Sequence, residues 1–173
     1  MTGSTFEFVT ESRPDPREVA LLEQHVAEAA TKAAGLDPER ELAIFLRGQD
    51  GQVLAGISGI TWGGYCDLHL LWVTPPLRGR GLARDLLAAA EDEARRRGCS
   101  FVIFFAYDVL TPGLYERLGY EALATVPDCP AGSTARLFRK FLGAGAPPQV
   151  QGPSQQLDQR HPPSETPTEG ERR

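Results

Sequence analysis

Between a strand-like run and a long helix-forming run the chain places Arg78-Gly79-Arg80-Gly81-Leu82-Ala83. No other segment narrows its fold as much. Two glycines spaced Gly79-x-Gly81 let the backbone approach a ligand closely and take conformations that other residues avoid. The first amides of the following helix have no partner within it, and the dipole makes that end partially positive. Such a turn receives a phosphate or pyrophosphate, and Arg78, Arg80 and Arg84 supply charge-assisted hydrogen bonds. It is not the dinucleotide fingerprint, which needs a third glycine where Arg84 stands. Nor is it a Walker loop, which needs four residues between its glycines and then Gly-Lys-Ser/Thr. The plainer alternative is a strand-to-helix turn with solvated arginines. The preceding Val73-Thr74-Pro75-Pro76, the three arginines and the long helix argue against it.

The surrounding pattern supplies the rest of an α/β fold. Phe6–Val9 alternates as a short first strand, and Glu18–Ala34 reads as an amphipathic helix packed on the sheet, with Val19, Leu22, Val26 and Ala30 on one face and Gly35 as its stop. Glu41–Arg47, Val53–Trp62 and Tyr65–Val73 are strands joined by Asp50-Gly51 and Gly63-Gly64, so they are antiparallel neighbours. A helix over Leu82–Arg97 carries Leu82, Leu86, Ala90 and Ala94 on one face. Phe101–Ala106 is apolar on both faces, as a buried parallel strand is. A short helix from Pro112 to Leu118 and strands over Tyr120–Val126 and Thr134–Phe141 complete the order β-α-β-β-β-α-β-α-β-β. The expected fold is one mixed α/β (α+β) sheet with helices on its faces.

Composition sets the limits. From Gly143 the 173-residue chain turns rich in Pro, Gly, Gln, Ser and Glu, a composition that cannot offset its ordering entropy. The expected division is a folded domain over 1–142 and a disordered tail over 143–173. A net charge of −5 argues against nucleic-acid binding as the main role. Cys66, Cys99 and Cys129, like His25, His69 and His161, are scattered, giving neither a disulfide framework nor a metal-ligand spacing. No apolar run reaches membrane-spanning length, and no leader pattern opens the chain, so a cytoplasmic location and no membrane partner are expected.

Arg78-Gly79-Arg80-Gly81-Leu82-Ala83 matches the Arg/Gln-x-x-Gly-x-Gly/Ala signature of the GNAT superfamily of N-acetyltransferases. Leu70–Gly81 resembles that family's fourth strand and cofactor turn, and Pro112-Gly113-Leu114-Tyr115-Glu116-Arg117-Leu118-Gly119-Tyr120 resembles its second signature. The resemblance covers about 40–142. It implies a mostly antiparallel GNAT-like sheet with two splayed parallel strands, Tyr65–Val73 and Phe101–Ala106, and acetyl-CoA held between them. The pantetheine arm would pair with backbone around Leu71 and Val73, and the pyrophosphate would rest on Gly79, Arg80, Gly81, Leu82 and Ala83 beside Arg78 and Arg84. Free CoA would be the product. Sheet edges in such folds pair, which makes a homodimer an expected assembly.

Acetyl transfer to an amine requires loss of an ammonium proton, donors for the oxyanion and a proton for the leaving thiolate. Tyr115 matches the tyrosine that protonates the CoA sulfur in similar proteins; the alternative is a ring that merely packs on the sheet. Asp67 stands eleven residues before Arg78, where some members place a catalytic glutamate, and acts through a bridging water. His69 projects from the same strand face and has the better intrinsic pKa for a base. Both are equally readable as ordinary polar strand positions. Trp62 and Tyr65 would shape the substrate pocket or serve as core aromatics. Asp108 stands where many members carry Asn, and Thr111 where they carry Ala, which turns Asp108 toward a substrate role. The leading expectation is direct transfer in a ternary complex to a small-molecule primary amine. The alternatives are a protein or peptide N-acetyltransferase, with an open groove beside Asp67, and a non-catalytic acyl-CoA sensor.

Overall fold

The computed structural model describes residues 7–143. Along them run α1 (Pro16–Ala34), β1 (Arg40–Arg47), β2 (Val53–Trp62), β3 (Tyr65–Val73), α2 (Leu82–Arg96), β4 (Phe101–Tyr107), the four-residue α3 (Leu114–Arg117), β5 (Glu121–Pro127) and β6 (Thr134–Phe141). The six strands form one sheet in the order β1-β2-β3-β4-β6-β5. Every junction is antiparallel except β3–β4. The mixed, mostly antiparallel sheet read from the sequence is the one observed.

The core lies on one face of this sheet, here called the inner face. Strict alternation buries Ala55, Ile57, Gly59 and Thr61 of β2, as expected for a strand with one covered face. Against them and against Cys66, Leu68, Val102 and Phe104 pack Leu86, Leu87, Ala90 and Ala94 of α2. That stripe follows the period of a helix. Asp85 in its first turn and Arg95 and Arg96 in its last complement the helix dipole. Tyr115 of α3 and Phe138 of β6 close the same core at its other end.

Two expectations fail. Glu7–Val9 form no strand, and Phe8 is fully exposed; Phe6 lies outside the described residues. The helix at Pro16–Ala34 is present, capped by the Asp15 side chain and ended by left-handed Gly35, but it does not pack on the sheet: none of its residues is buried. Val19, Leu22 and Val26 are exposed. The apolar stripe predicted a buried face, whereas among the described residues nothing buries that stripe. The expected tail from 143 lies outside the described residues apart from Gly143, and the last buried residue is Leu142.

Candidate active site

The β3–β4 ladder is short. Tyr65 pairs with Phe101, Cys66 with Val102 and Asp67 with Ile103, and there it ends. Both strands run on, to Val73 and Tyr107, so they part and leave β3 backbone groups unpaired on the side facing β4. Such groups need partners, and an extended ligand arm supplies them as a strand would.

The parting coincides with a bulge in β3. Ser58 pairs with Leu70 and Gly59 with Leu68, so His69 is an extra residue. A bulge bends its strand and re-aims side chains. Gly59 permits the close approach that this geometry needs: a Cβ there would sit 2.0 Å from the Asp67 carbonyl oxygen. Asp67 and His69 share the outer face, as their spacing predicts, with His69 Nε2 3.7 Å from Asp67 Oδ2. Burial pushes the Asp67 carboxyl above its ordinary value, and His69 pulls it partly back.

Between the parted strands lies a cavity of about 40 Å³ lined by Ile57, Leu68, His69, Leu71, Phe104 and Tyr115. Tyr115 packs on the core and also reaches the cavity. Its ring packs on Phe104 and Phe138, with centroids 4.6 and 5.1 Å away, and the same side chain borders the cavity. Burial pushes its phenol up, offset in part by the Thr111 side chain. It therefore keeps its proton near neutrality, as a donor must.

At the other end of the gap, Gly79 and Gly81 have φ of 76° and 86°, values that favour glycine. Leu82 and Ala83 open α2 with amides that the helix cannot satisfy. Arg78 Nε donates to the Val73 carbonyl at 3.0 Å, tying the turn to the end of β3. Arg84 lies beside Asp85 at 2.9 Å. Arg80 is exposed, and among the described residues no ion pair engages it. Leu71 and Val73, half-buried, pack against the core from the stretch of β3 that has left its ladder. Strand edge, glycine turn and orphan amides thus fit a ligand with an extended arm and a phosphorylated end.

Trp62 and Tyr65 are brought together, with ring centroids 6.4 Å apart; Trp62 Nε1 also donates to the Asp37 carbonyl at 3.0 Å. Asp108 is not brought to them. It follows β4's last residue, and the six steps from Phe101 to Tyr107 span about 20 Å. Its carboxylate pairs with Arg136 at 2.8 Å. Cys66 and Cys99 are buried, and burial pushes the Cys66 thiol up to about 12 and raises Cys99. Neither is a ready thiolate nucleophile. The sequence reading missed Gly59, the His69 bulge, and Phe101 and Phe141 on the outer face. All four depend on strand register, and only a glycine inside a strand pattern signalled any of them.

Known proteins define the class. The model of the acetyltransferase (GNAT) family matches residues 6–120. A blasticidin-S acetyltransferase of Streptomyces morookaense is 36% identical over 106 residues, covering 61% of this chain and 78% of that protein. An acetyltransferase of Agrobacterium fabrum is 34% identical over 109 residues, covering 61% of this chain and 77% of that protein. A crystal structure from Agrobacterium tumefaciens, classed as an acetyltransferase, superposes with a TM-score of 0.70 at 28% identity, covering 79% of this chain and 99% of the other. The chain belongs to the GNAT family, and it is an N-acetyltransferase.

Proposed function

We propose that this enzyme moves an acetyl group from acetyl-CoA directly to the primary amine of a small molecule within a ternary complex. The observation that carries the reading is the end of the β3–β4 ladder. There Asp67 and His69 stand on the outer face, while Tyr115 borders the cavity between the strands. A base and an acid thus flank one gap from opposite sides. Residues 1–142 carry the whole activity in this reading, since among the described residues the core ends at Leu142.

Acetyl-CoA supplies a thioester. Leu71 and Val73 offer backbone to its arm, and the amides at Gly79–Ala83 with Arg78, Arg80 and Arg84 receive its pyrophosphate. Asp67, through a water, or His69 takes the proton that keeps the acceptor's nitrogen from acting as a nucleophile. The nitrogen then attacks the thioester carbonyl, the C–S bond breaks, and the Tyr115 hydroxyl gives its proton to the departing sulfur. A small-molecule acceptor is supported by the Streptomyces relative, a blasticidin-S acetyltransferase. A peptide N-terminus is the second reading, favoured by one observation: the Asp67 side chain is 37% exposed on a sheet face that no described helix covers.

The test is calorimetric titration with acetyl-CoA and CoA, followed by thiol release with small amines and with N-terminal peptides. Micromolar acetyl-CoA binding with thiol release to small amines supports the proposal. Release only to peptides replaces it with the second reading. Failure to bind acetyl-CoA overturns the assignment of the Arg78–Ala83 turn. A chain lacking 143–173 should keep both binding and turnover.

A further inference from the structure

The outer face carries two cross-strand rows beside the gap. In the first, Trp62 pairs with Tyr65, Tyr65 with Phe101 and Phe101 with Phe141, across four strands. The rings touch in sequence. Tyr65 stacks on Phe101 with centroids 5.7 Å apart and planes 12° apart, and Phe101 meets Phe141 edge-on at 6.0 Å. All four are half-buried, and among the described residues no helix packs over them. One step along the strands lies the second row: Ile60, Asp67, Ile103 and Arg139. Arg139 sits over Phe141 and donates twice to Glu121, so its charge is already matched. The Asp67 carboxylate is then the acidic group of that row nearest the gap. Glu39 adds negative charge near the rings: together with Asp67, and after burial itself, it raises the Tyr65 phenol.

We infer that the acceptor is an amine joined through a short spacer to a planar aromatic or heteroaromatic ring. This rests on the proposed acetyl transfer and names its substrate class. A ring placed on the Tyr65–Phe101 pair continues an array in offset-stacked or edge-to-face geometry, both of which aromatic pairs prefer. Two residues along a strand advance about 7 Å, the reach of one ring with a spacer of one or two carbons. The ammonium then lies at Asp67, between the rings and the opening where the strands part. A flexible polyamine or a sugar amine leaves the rings unused.

The probes are 2-phenylethylamine and 2-cyclohexylethylamine, which share length and charge but differ in planarity. Trp72→Phe leaves Trp62 as the sole tryptophan, so its fluorescence in the CoA complex reports ligand on the rings, and thiol release from acetyl-CoA reports turnover. The aromatic amine should bind and turn over about three- to tenfold better, the scale of an aromatic pair. Tyr65→Leu and Phe101→Leu should erase the preference, while Tyr65→Phe, which keeps the ring, should preserve both fold and preference. Equal binding, or preference for the more hydrophobic cyclohexyl compound, overturns the inference and leaves the acetyltransferase reading intact. Failure of both amines to bind also overturns it. Ring-selective binding without thiol release upholds the inference about the site and overturns direct transfer.

Discussion

Gly81→Asp separates binding from folding. Gly81 precedes α2 in a left-handed conformation, and a Cβ built on it meets only the Arg84 guanidinium, Nη2 at 3.2 Å. That side chain can swing aside, so the substitution meets no backbone clash. The left-handed penalty for an ordinary residue is about 1–2 kcal/mol, and Asp tolerates the region better than most. A carboxylate at a helix N-terminus also gains from the dipole. The melting temperature should therefore change by no more than a few degrees. Binding should not be spared. A new charge about 4 Å from a phosphate costs roughly 4 kcal/mol at an effective dielectric of 20. With solvent and salt screening this open site, about 2–3 kcal/mol should survive, a loss of roughly 30- to 150-fold in acetyl-CoA affinity. The new carboxylate would also draw Arg84 away from the pyrophosphate. Calorimetry on the wild type, Gly81→Ala and Gly81→Asp at low and high salt divides strain from charge. Ala carries only the strain, and the further loss in Asp should shrink as salt rises. Binding by Gly81→Asp within about threefold of wild type at low salt would refute the placement of a phosphate on this turn.

Tyr115→Phe should lower kcat by about a hundredfold, the low end of general-acid effects, with acetyl-CoA affinity nearly unchanged. Parallel loss of both in rapid kinetics and calorimetry would make the tyrosine structural. Burial raises the Asp67 carboxyl, so a base at Asp67 gives a kcat/KM profile that falls as pH drops through a value above the ordinary carboxylate range. Asp67→Asn should remove that acid limb, and a limb that persists in the variant moves the base to His69. Glu91 is buried and accepts from Tyr120 Oη and Lys140 Nζ, both at 2.8 Å. Glu91→Ala strands both partners. Because Lys140 is 27% exposed and can reach water, the loss should be about 2–3 kcal/mol, or roughly 6–12 °C by calorimetric melting. A shift under about 2 °C would show that the network contributes little.

The sheet was legible because strand pairing here follows local signals. Asp50-Gly51 and Gly63-Gly64 join β1–β2 and β2–β3 as read, and the Phe101–Ala106 run announced a buried strand beside a parallel neighbour, of which the structure buries the inner face and leaves Phe105 exposed. The turn was legible because its glycines, arginines and helix start are contiguous. What stayed hidden depends on residues far apart in sequence. The stripe at Val19, Leu22 and Val26 states that α1 has an apolar face, not that anything covers it. Phe6–Val9 alternates, but alternation makes a strand only beside an edge that accepts it, and four residues carry too little burial to enforce one. The ion pair of Asp108 was hidden because its partner, Arg136, lies twenty-eight positions later. The bulge at His69 is invisible in β3 alone, since it arises where Gly59 brings β2 against the Asp67 carbonyl.

The short β3–β4 ladder raises the question of what keeps the two halves of the sheet together, since three paired positions join them. The answer lies on the inner face. At the C-terminal end of α2, Arg97 Nη1 donates to the Glu41 carbonyl at 2.8 Å and to Thr61 Oγ1 at 3.2 Å, holding β1 and β2. Two and six residues earlier, Arg95 Nε donates to the Leu142 carbonyl at 3.1 Å and Glu91 accepts from Lys140, holding the β6 side. The helix thus ties both halves by side-chain bonds where the ladder does not. In the proposed function its N-terminus is also the turn that receives the phosphate. One element would then hold the two halves of the sheet at one end and the phosphorylated end of the ligand at the other. That arrangement gives buried Glu91 a role beneath a largely apolar core: an apolar residue there would pack, but it would remove the Lys140 bond from the fastening of the parted strands.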